Sequence, residues 1–431
     1  MKLLRSVLIL ALVVGVTGGL VGLQRSSAQE QVTITWWHIT TNPPDRAYWD
    51  ELAAEYMEAN PNVNIEVTVL ENEAFKSQLV TVMQAGDPPD LFQSWGGGVL
   101  WQYADAGMVR NIAPELEAND GEWKNSFITQ AALELYGRDG EYYGVPWTWG
   151  AVGMFYNKAL FEQAGLDPDN PPATWDEFLE AVQTLKDAGI TPIALGEADK
   201  WPGHFWWVYL ATRLGGEEAF LNAYNRTGSF ADEPFVKAGE YLKQLIDLEP
   251  FQQGFMSSSF GDEGRVMGNG EAAMELMGQF AVSNMAANSE SGEGIGDDLG
   301  WFPFPAIPEG AGNPTDVLGG GDGYAVGKDA PDEAVDFLKF LTSVDAQRRG
   351  AELWIIPTVA GAEDVLADDP IMSTIMQVRN EAPYFQLYYD QFLPPAVAQT
   401  VLDAVQGLFA GEISPEEAAA MIEETAAFEL E

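Results

Sequence analysis

The sequence predicts an α/β fold in two domains, on three observations. Its 431 residues exceed what one hydrophobic core ordinarily serves. Short β-rich runs alternate with stretches of helical period, the pattern of sheets crossed by helices. The chain has no cysteine, so its stability must come from large apolar cores rather than cross-links, and thiolate metal sites are excluded.

The first 28 residues stand apart. Lys2 and Arg5 precede the apolar run "VLILALVVGV", and "SSA" ends at Ala28. A basic start, an apolar core and a small-residue cleavage site are those of a cleaved signal peptide, so the mature chain is expected outside the cytoplasm. Without cysteine it has no lipid anchor. The whole chain has 21 basic and 66 acidic residues, a net charge of −45; losing Lys2, Arg5 and Arg25 with the leader takes this to −48. Such a surface repels nucleic acid and anionic lipid, and argues against an anionic ligand unless a basic pocket is built locally.

The run "VTITWWHI" (32–39) is read as the first strand. In "PDRAYWDELAAEYMEANP", Tyr48, Leu52, Tyr56 and Met57 recur at helical spacing and Pro61 stops the helix. "NVNIEVTVLE" (62–71) is the next strand, "FKSQLVTVMQAG" (75–86) a helix closed by Gly86, and "PDLFQSW" (89–95) a short strand. Beyond residue 146 the order repeats. "AVGMFYN" is a strand and "KALFEQAGL" a helix. Thr174 and Glu177 form a capping box for the helix that follows, and "TPIALG" (191–196) is a strand. A Pro-rich extended stretch (302–316) precedes "GGGDGYAV", and the C-terminus is helical, with Ser414, Pro415 and Glu417 as start signals.

Most catalytic signatures fail. Two histidines, His38 and His204, cannot make an HExxH motif. "GDGYAVGKD" has Asp322 where a phosphate loop needs Gly, and "DPDNPPATWDE" has Pro172 where a calcium loop needs Gly. No metal or cofactor is expected. So many acids leave room for a pair of glycosidase carboxylates, but no stretch marks one out. The informative feature is aromatic clustering beside Gly and Pro in expected loops: "SWGGGVLW", "YYGVPWTWG", "KWPGHFWWVYL", "GWFPF", "LWIIP" and "PYFQLYYDQF". Flat rings with a polar edge suit the apolar face of a pyranose, with neighbouring carboxylates and amides for its hydroxyls.

The run "YGVP…YNKALFEQAGL…PATWDEF", together with "MQAGDPPDLFQSWGGG", "GNGEAAMELMGQF" and "GGGDGYAV…DEAVDFLKFLTS", resembles the carbohydrate-binding branch of the extracellular solute-binding proteins of ABC importers. The resemblance covers nearly the whole mature chain. It implies the two-lobed periplasmic-binding-protein fold of type II, with two discontinuous α/β domains joined by a three-segment hinge. The expected lobes are 29–145 plus 320–363 and 146–319 plus 364–431, with crossings near Val145, Gly319 and Asp364. It implies a monomer that holds a neutral oligosaccharide, short β-linked ones among the candidates, between the lobes and passes it to membrane permease subunits.

Motif position and strand ends then nominate the ligand contacts: Trp37, His38, Trp95, Trp147, Trp149, Glu197, Trp206, Gln279, Phe280, Asp322, Trp354 and Asp390. Phe280 stands where the family often has Trp. Of the adjacent Trp206 and Trp207 only one can face a given target on a helix, and Trp206 is preferred. Trp36 continues the face of Ile34 and is assigned to the core. Alternatives are a non-sugar solute such as a polyamine, a glycoside-active enzyme, or a carbohydrate-binding module without a transporter.

Overall fold

The computed structural model describes residues 31–430, so the signal-peptide assignment lies outside the described residues. Strand Val32–His38 pairs in parallel with Val63–Val69 on one side and with Leu91–Ser94 on the other. Parallel neighbours need crossover connections, supplied by helices Pro43–Ala59 and Asn72–Ala85. The second of these starts at Glu71, whose carboxylate accepts the amide hydrogens of Glu73 and Ala74 at 3.0 and 3.3 Å. Gly323–Val326 and Gly144–Pro146 complete a five-stranded sheet.

A second sheet has four strands in the order Leu299–Phe302, Gly153–Asn157, Ala272–Met277, Thr191–Ile193. Helix Trp175–Asp187 covers it, started by the expected capping box of Thr174 and Glu177. Both sheets are mixed, where alternation alone predicted parallel ones. Gly323–Val326 runs antiparallel to Leu91–Ser94, and Gly153–Asn157 antiparallel to both of its neighbours. The cause is chain routing. These two strands begin where the chain crosses between the sheets and run away from the crossing, whereas Leu91–Ser94 and Ala272–Met277 end there.

The crossing itself is a small third sheet of Gly150–Ala151, Val317–Gly320 and Phe385–Leu387. Its strands touch backbone to backbone. A Cβ on Gly319 would lie 2.4 Å from the carbonyl oxygen of Gly150, and one on Gly321 only 1.8 Å from that of Thr148. The "GGG" run is therefore explained by close approach; neither residue has a left-handed φ.

Each large sheet has its own core. Trp36 is fully buried and meets Trp49, Tyr324 and Phe337 edge-on, with ring centroids 5.2–5.6 Å apart. In the other core Tyr209 stacks on Phe304 at 4.4 Å. Buried Arg213 lies over the Tyr209 ring and donates to the carbonyls of Phe304, Pro305 and Asp316 at 3.0, 3.2 and 2.6 Å. It thereby pins the Pro-rich stretch, whose extended backbone lacks a ladder of its own, to helix Trp201–Tyr224.

Three carboxyl groups, Glu197, Glu263 and Glu275, are buried in this second core. One oxygen of Glu263 accepts the Gly196 amide hydrogen at 2.8 Å. Burial raises all three above the usual carboxylate range, and pushes Glu275 up to about 8. A carboxyl group held neutral by the fold contributes stability that is complete below about pH 4.5 and is lost as pH rises toward 8. The stability of Glu275→Gln is expected to gain on that of the parent chain between pH 5 and 8, by roughly 2–4 kcal/mol across that window. Parallel calorimetric melting curves from pH 4.5 to 8.5 would not support a neutral Glu275.

Candidate functional site

The ends of the two sheets meet across a cleft of about 550 Å³, within the range of small-molecule sites. One wall is built at the ends of the five-stranded sheet. Trp95 follows strand Leu91–Ser94, Trp147 follows Gly144–Pro146, and Asp322 precedes Gly323–Val326. Helix starts add Asp45, Glu71 and Lys76. Phe75 meets Trp95 edge-on from behind at 6.2 Å, and the Lys76 ammonium lies 5.5 Å from its ring centroid.

The opposite wall is aromatic. Trp201 opens helix Trp201–Tyr224 and meets Phe260 at 4.8 Å and Phe280 at 6.1 Å. Phe205, one turn on, stacks on Tyr388 at 4.9 Å. Gln279 and Phe280 come from the turn after Ala272–Met277. The crossing segments form the floor, with Thr148, Tyr388 and Asp390. Trp354 stands at the lip, 38% exposed, its indole donating to Asp369 at 3.0 Å.

Buried polar contacts hold the floor in place. The Asp322 carbonyl accepts from the amides of Trp147 and Thr148 at 2.9 and 3.1 Å. Gln347 donates to the Trp147 carbonyl at 2.9 Å and accepts from the Thr358 amide at 2.7 Å, tying two crossings together. Burial pushes the Asp322 carboxyl up to about 6, partly offset by the Trp95 and Gln93 side chains. Asp390 differs. Burial raises it, but His204, with Nε2 3.3 Å from Oδ1, Lys76 and Gln391 outweigh burial and hold it below the usual range.

Seven of the nominated residues are thus gathered on the cleft surface: Trp95, Trp147, Gln279, Phe280, Asp322, Trp354 and Asp390. Five are not, and the assignments are corrected. His38 shares the face of Trp36, because side chains two apart on a strand point the same way; its ring is fully buried 4.8 Å from that of Trp36. Its Nδ1 accepts the Thr40 amide hydrogen at 3.2 Å, and burial lowers its pKa to about 3, so it is a neutral core residue. Trp37 lies on the other face against the cluster of Phe75, Leu79 and Phe92. Trp149 points away from Trp147 and stacks on Phe385 at 4.6 Å. Glu197 is buried behind the wall, and Asp199, two residues on, takes the surface position.

Trp206 is fully buried between Phe178 and Phe304. The cleft face of its helix is instead the i, i+4 pair Trp201 and Phe205, from which Trp206 is rotated away. Pro202, at home in a first helical turn, is the sequence signal that could have put Trp201 at the helix start. Tyr388 lies in the aromatic run "PYFQLYYDQF", whereas Asp45, Lys76 and Asp199 carried no sequence signal of their own.

This division is testable. Trp206→Ala should cost about 3–5 kcal/mol of stability, as truncation of a buried aromatic does. Trp201→Ala should leave the melting temperature of the free protein within a few degrees and weaken ligand binding instead. Calorimetric melting and titration of both variants check this; equal losses of stability would return Trp201 to the core.

With this geometry in view, comparison with known proteins is informative. Residues 40–348 match the family described as bacterial extracellular solute-binding protein. An uncharacterized ABC transporter extracellular-binding protein of Pyrococcus horikoshii is 26% identical over 328 residues, spanning 74% of this chain and 69% of that one. The melibiose/raffinose/stachyose-binding protein MelE of Bacillus subtilis is 25% identical over 426 residues, 95% of this chain and 93% of that one. A structure from work on xylan utilization by the thermophilic bacterium Caldanaerobius polysaccharolyticus superposes with a TM-score of 0.84 at 29% identity, covering 91% of this chain and 99% of its own. The two-lobed α/β architecture, the cleft at the strand ends and the match over most of the chain lead to one conclusion: this chain belongs to the bacterial extracellular solute-binding proteins.

Proposed function

We propose that the protein captures a neutral oligosaccharide in the cleft, closes around it and delivers it to the membrane permease of an ABC importer. One observation carries the reading: Trp95 and Trp147 from one wall and Trp201 and Phe280 from the other line the same cleft. Aromatic rings on both walls can stack on the apolar faces of pyranose rings, while Asp322, Asp390 and Gln279 offer polar groups for hydroxyls. The relatives support it, since one is named for binding melibiose, raffinose and stachyose and another comes from work on xylan utilization.

In this reading the lobes comprise 29–145 plus 320–363 and 146–319 plus 364–431, and the crossings act as the hinge. Ligand contacts made with both walls stabilise the closed form, which the permease reads. The leader at 1–28 directs export, and the protein acts as a monomer that returns its ligand chemically unchanged.

A thermal-shift panel of neutral di- to tetrasaccharides tests the proposal. At least one β- or α-linked member should raise the melting temperature in a saturable way, because a ligand that binds only the native state must stabilise it. The same sugar should be recovered intact by chromatography, and small-angle scattering should show compaction. A flat panel would overturn the sugar assignment, and conversion of the sugar would overturn the transport role.

A further inference from the structure

The cleft carries an uncompensated charge. Three of its surface carboxyl groups, Asp45, Asp199 and Asp322, have no ion-pair partner among the described residues. The basic groups adjacent in sequence are engaged elsewhere: Arg46 with Asp50 at 3.5 Å and Lys200 with Asp403 at 2.6 Å. The ammonium on the cleft surface, Lys76, is paired with Glu73 at 3.0 Å. Asp390 has His204 beside it, and Glu71 is satisfied by backbone amides at a helix start. A buried amide oxygen of Gln279, on the same surface, also lacks a donor among the described residues. The carboxyl groups do have hydrogen-bond donors, Asp199 accepting the Phe260 amide hydrogen at 2.7 Å; what the described lining is short of is positive charge, Lys76 being its one basic side chain.

Building on the oligosaccharide reading, we propose that the cleft selects its solute by charge: it favours a sugar bearing a protonated amine and rejects uronates and sugar phosphates. Asp45 and Asp322 belong to one wall and Asp199 to the other, so an amino sugar bound between them would answer carboxylates from both sides. The geometry has a cost that a cation relieves. Burial comes first in raising Asp199, against the Phe260 amide and Lys76, with Glu73 and Glu71 across the cleft adding to it; burial likewise raises Asp45 and Asp322 in spite of their side-chain hydrogen bonds. An ammonium placed among carboxyl groups disfavoured as anions gains more than a hydroxyl would, and a carboxylate or phosphate there meets like charge in a partly desolvated site.

The test uses β-1,4-linked trimers of glucose, glucosamine and glucuronate, which share a backbone and differ in charge. Titration calorimetry at pH 6.5 in about 50 mM and 300 mM salt should rank glucosamine above glucose by about tenfold at low salt, with glucuronate at least about a hundredfold weaker than glucose. Because the protein surface is itself strongly acidic, the glucosamine signal must be saturable at one site and displaced by the glucose trimer. Asp199→Asn and Asp322→Asn should each lower the glucosamine-to-glucose affinity ratio by about threefold or more. Equal affinity for the glucose and glucosamine trimers, binding of glucuronate on a par with glucose, or an unchanged ratio in both variants overturns charge selection alone. Failure of all three trimers to bind while another neutral oligosaccharide raises the melting temperature overturns charge selection and leaves the oligosaccharide reading standing; a flat response to every neutral oligosaccharide overturns both.

Discussion

Three chain crossings must pass through one narrow neck, and the neck is where backbone meets backbone. Gly319 and Gly321 lie against the carbonyls of Gly150 and Thr148 at distances no side chain could share. That packing has two consequences. It lets Val317–Gly320 bond to Gly150–Ala151 and Phe385–Leu387 at once, so the two large sheets are held end to end. It also delivers Thr148, Asp322 and Asp390 to the cleft floor, since each lies within a few residues of the ladder. Buried side chains then cap the neck: Gln347 and Arg379 donate to the carbonyls of Trp147 and Trp149 at 2.9 and 2.8 Å. Unmet carbonyls at this depth would each carry a desolvation penalty of about 1–3 kcal/mol.

The wealth of aromatic side chains serves two purposes that composition cannot separate. Trp36, Trp49, Trp175, Trp206 and Trp207 are fully buried and fill cores in a chain that has no disulfides. Trp95, Trp147 and Trp201 present part of their surface to the cleft and are backed by further rings. Backing matters for binding, because a ring held by its neighbours loses little freedom when a ligand stacks on it. The cores thus support the site as well as the fold.

Charge shows a similar separation of scales. The acid excess on the surface concerns solubility and long-range repulsion and is screened by salt. The carboxyl groups inside the second core are shielded from such screening. Their environments differ by residue: Glu275 is kept neutral by burial, while Asp390, also deeply placed, is kept ionised by His204, Lys76 and Gln391. Net charge alone predicts neither.

Local signals in the sequence were sufficient for what is local in the structure. The capping boxes at Thr174 and Ser414, the helix beginning beside Pro43, the turn at Gly86 and the opposite faces of Trp36 and Trp37 are set by residues within one or two turns of each other. The family pattern carried the two-lobed fold and brought Trp95, Trp147, Phe280 and Asp322 together. His38 and Trp206 show where such reading stops. The period of two that assigns Trp36 to the core also puts His38 on that face, whereas its place at the strand end had nominated it for the cleft. Trp206 required knowing which arc of a helix faces the other lobe, and that depends on Phe178 and Phe304, far away in sequence. The sequence by itself determined the elements, their caps and the apolar faces, because each follows from short-range periodicity and backbone chemistry. Only the tertiary structure decided the strand directions at the crossings, which tryptophans line the cleft and which carboxyl groups stand there without an ion-pair partner, because these depend on contacts between segments distant in sequence.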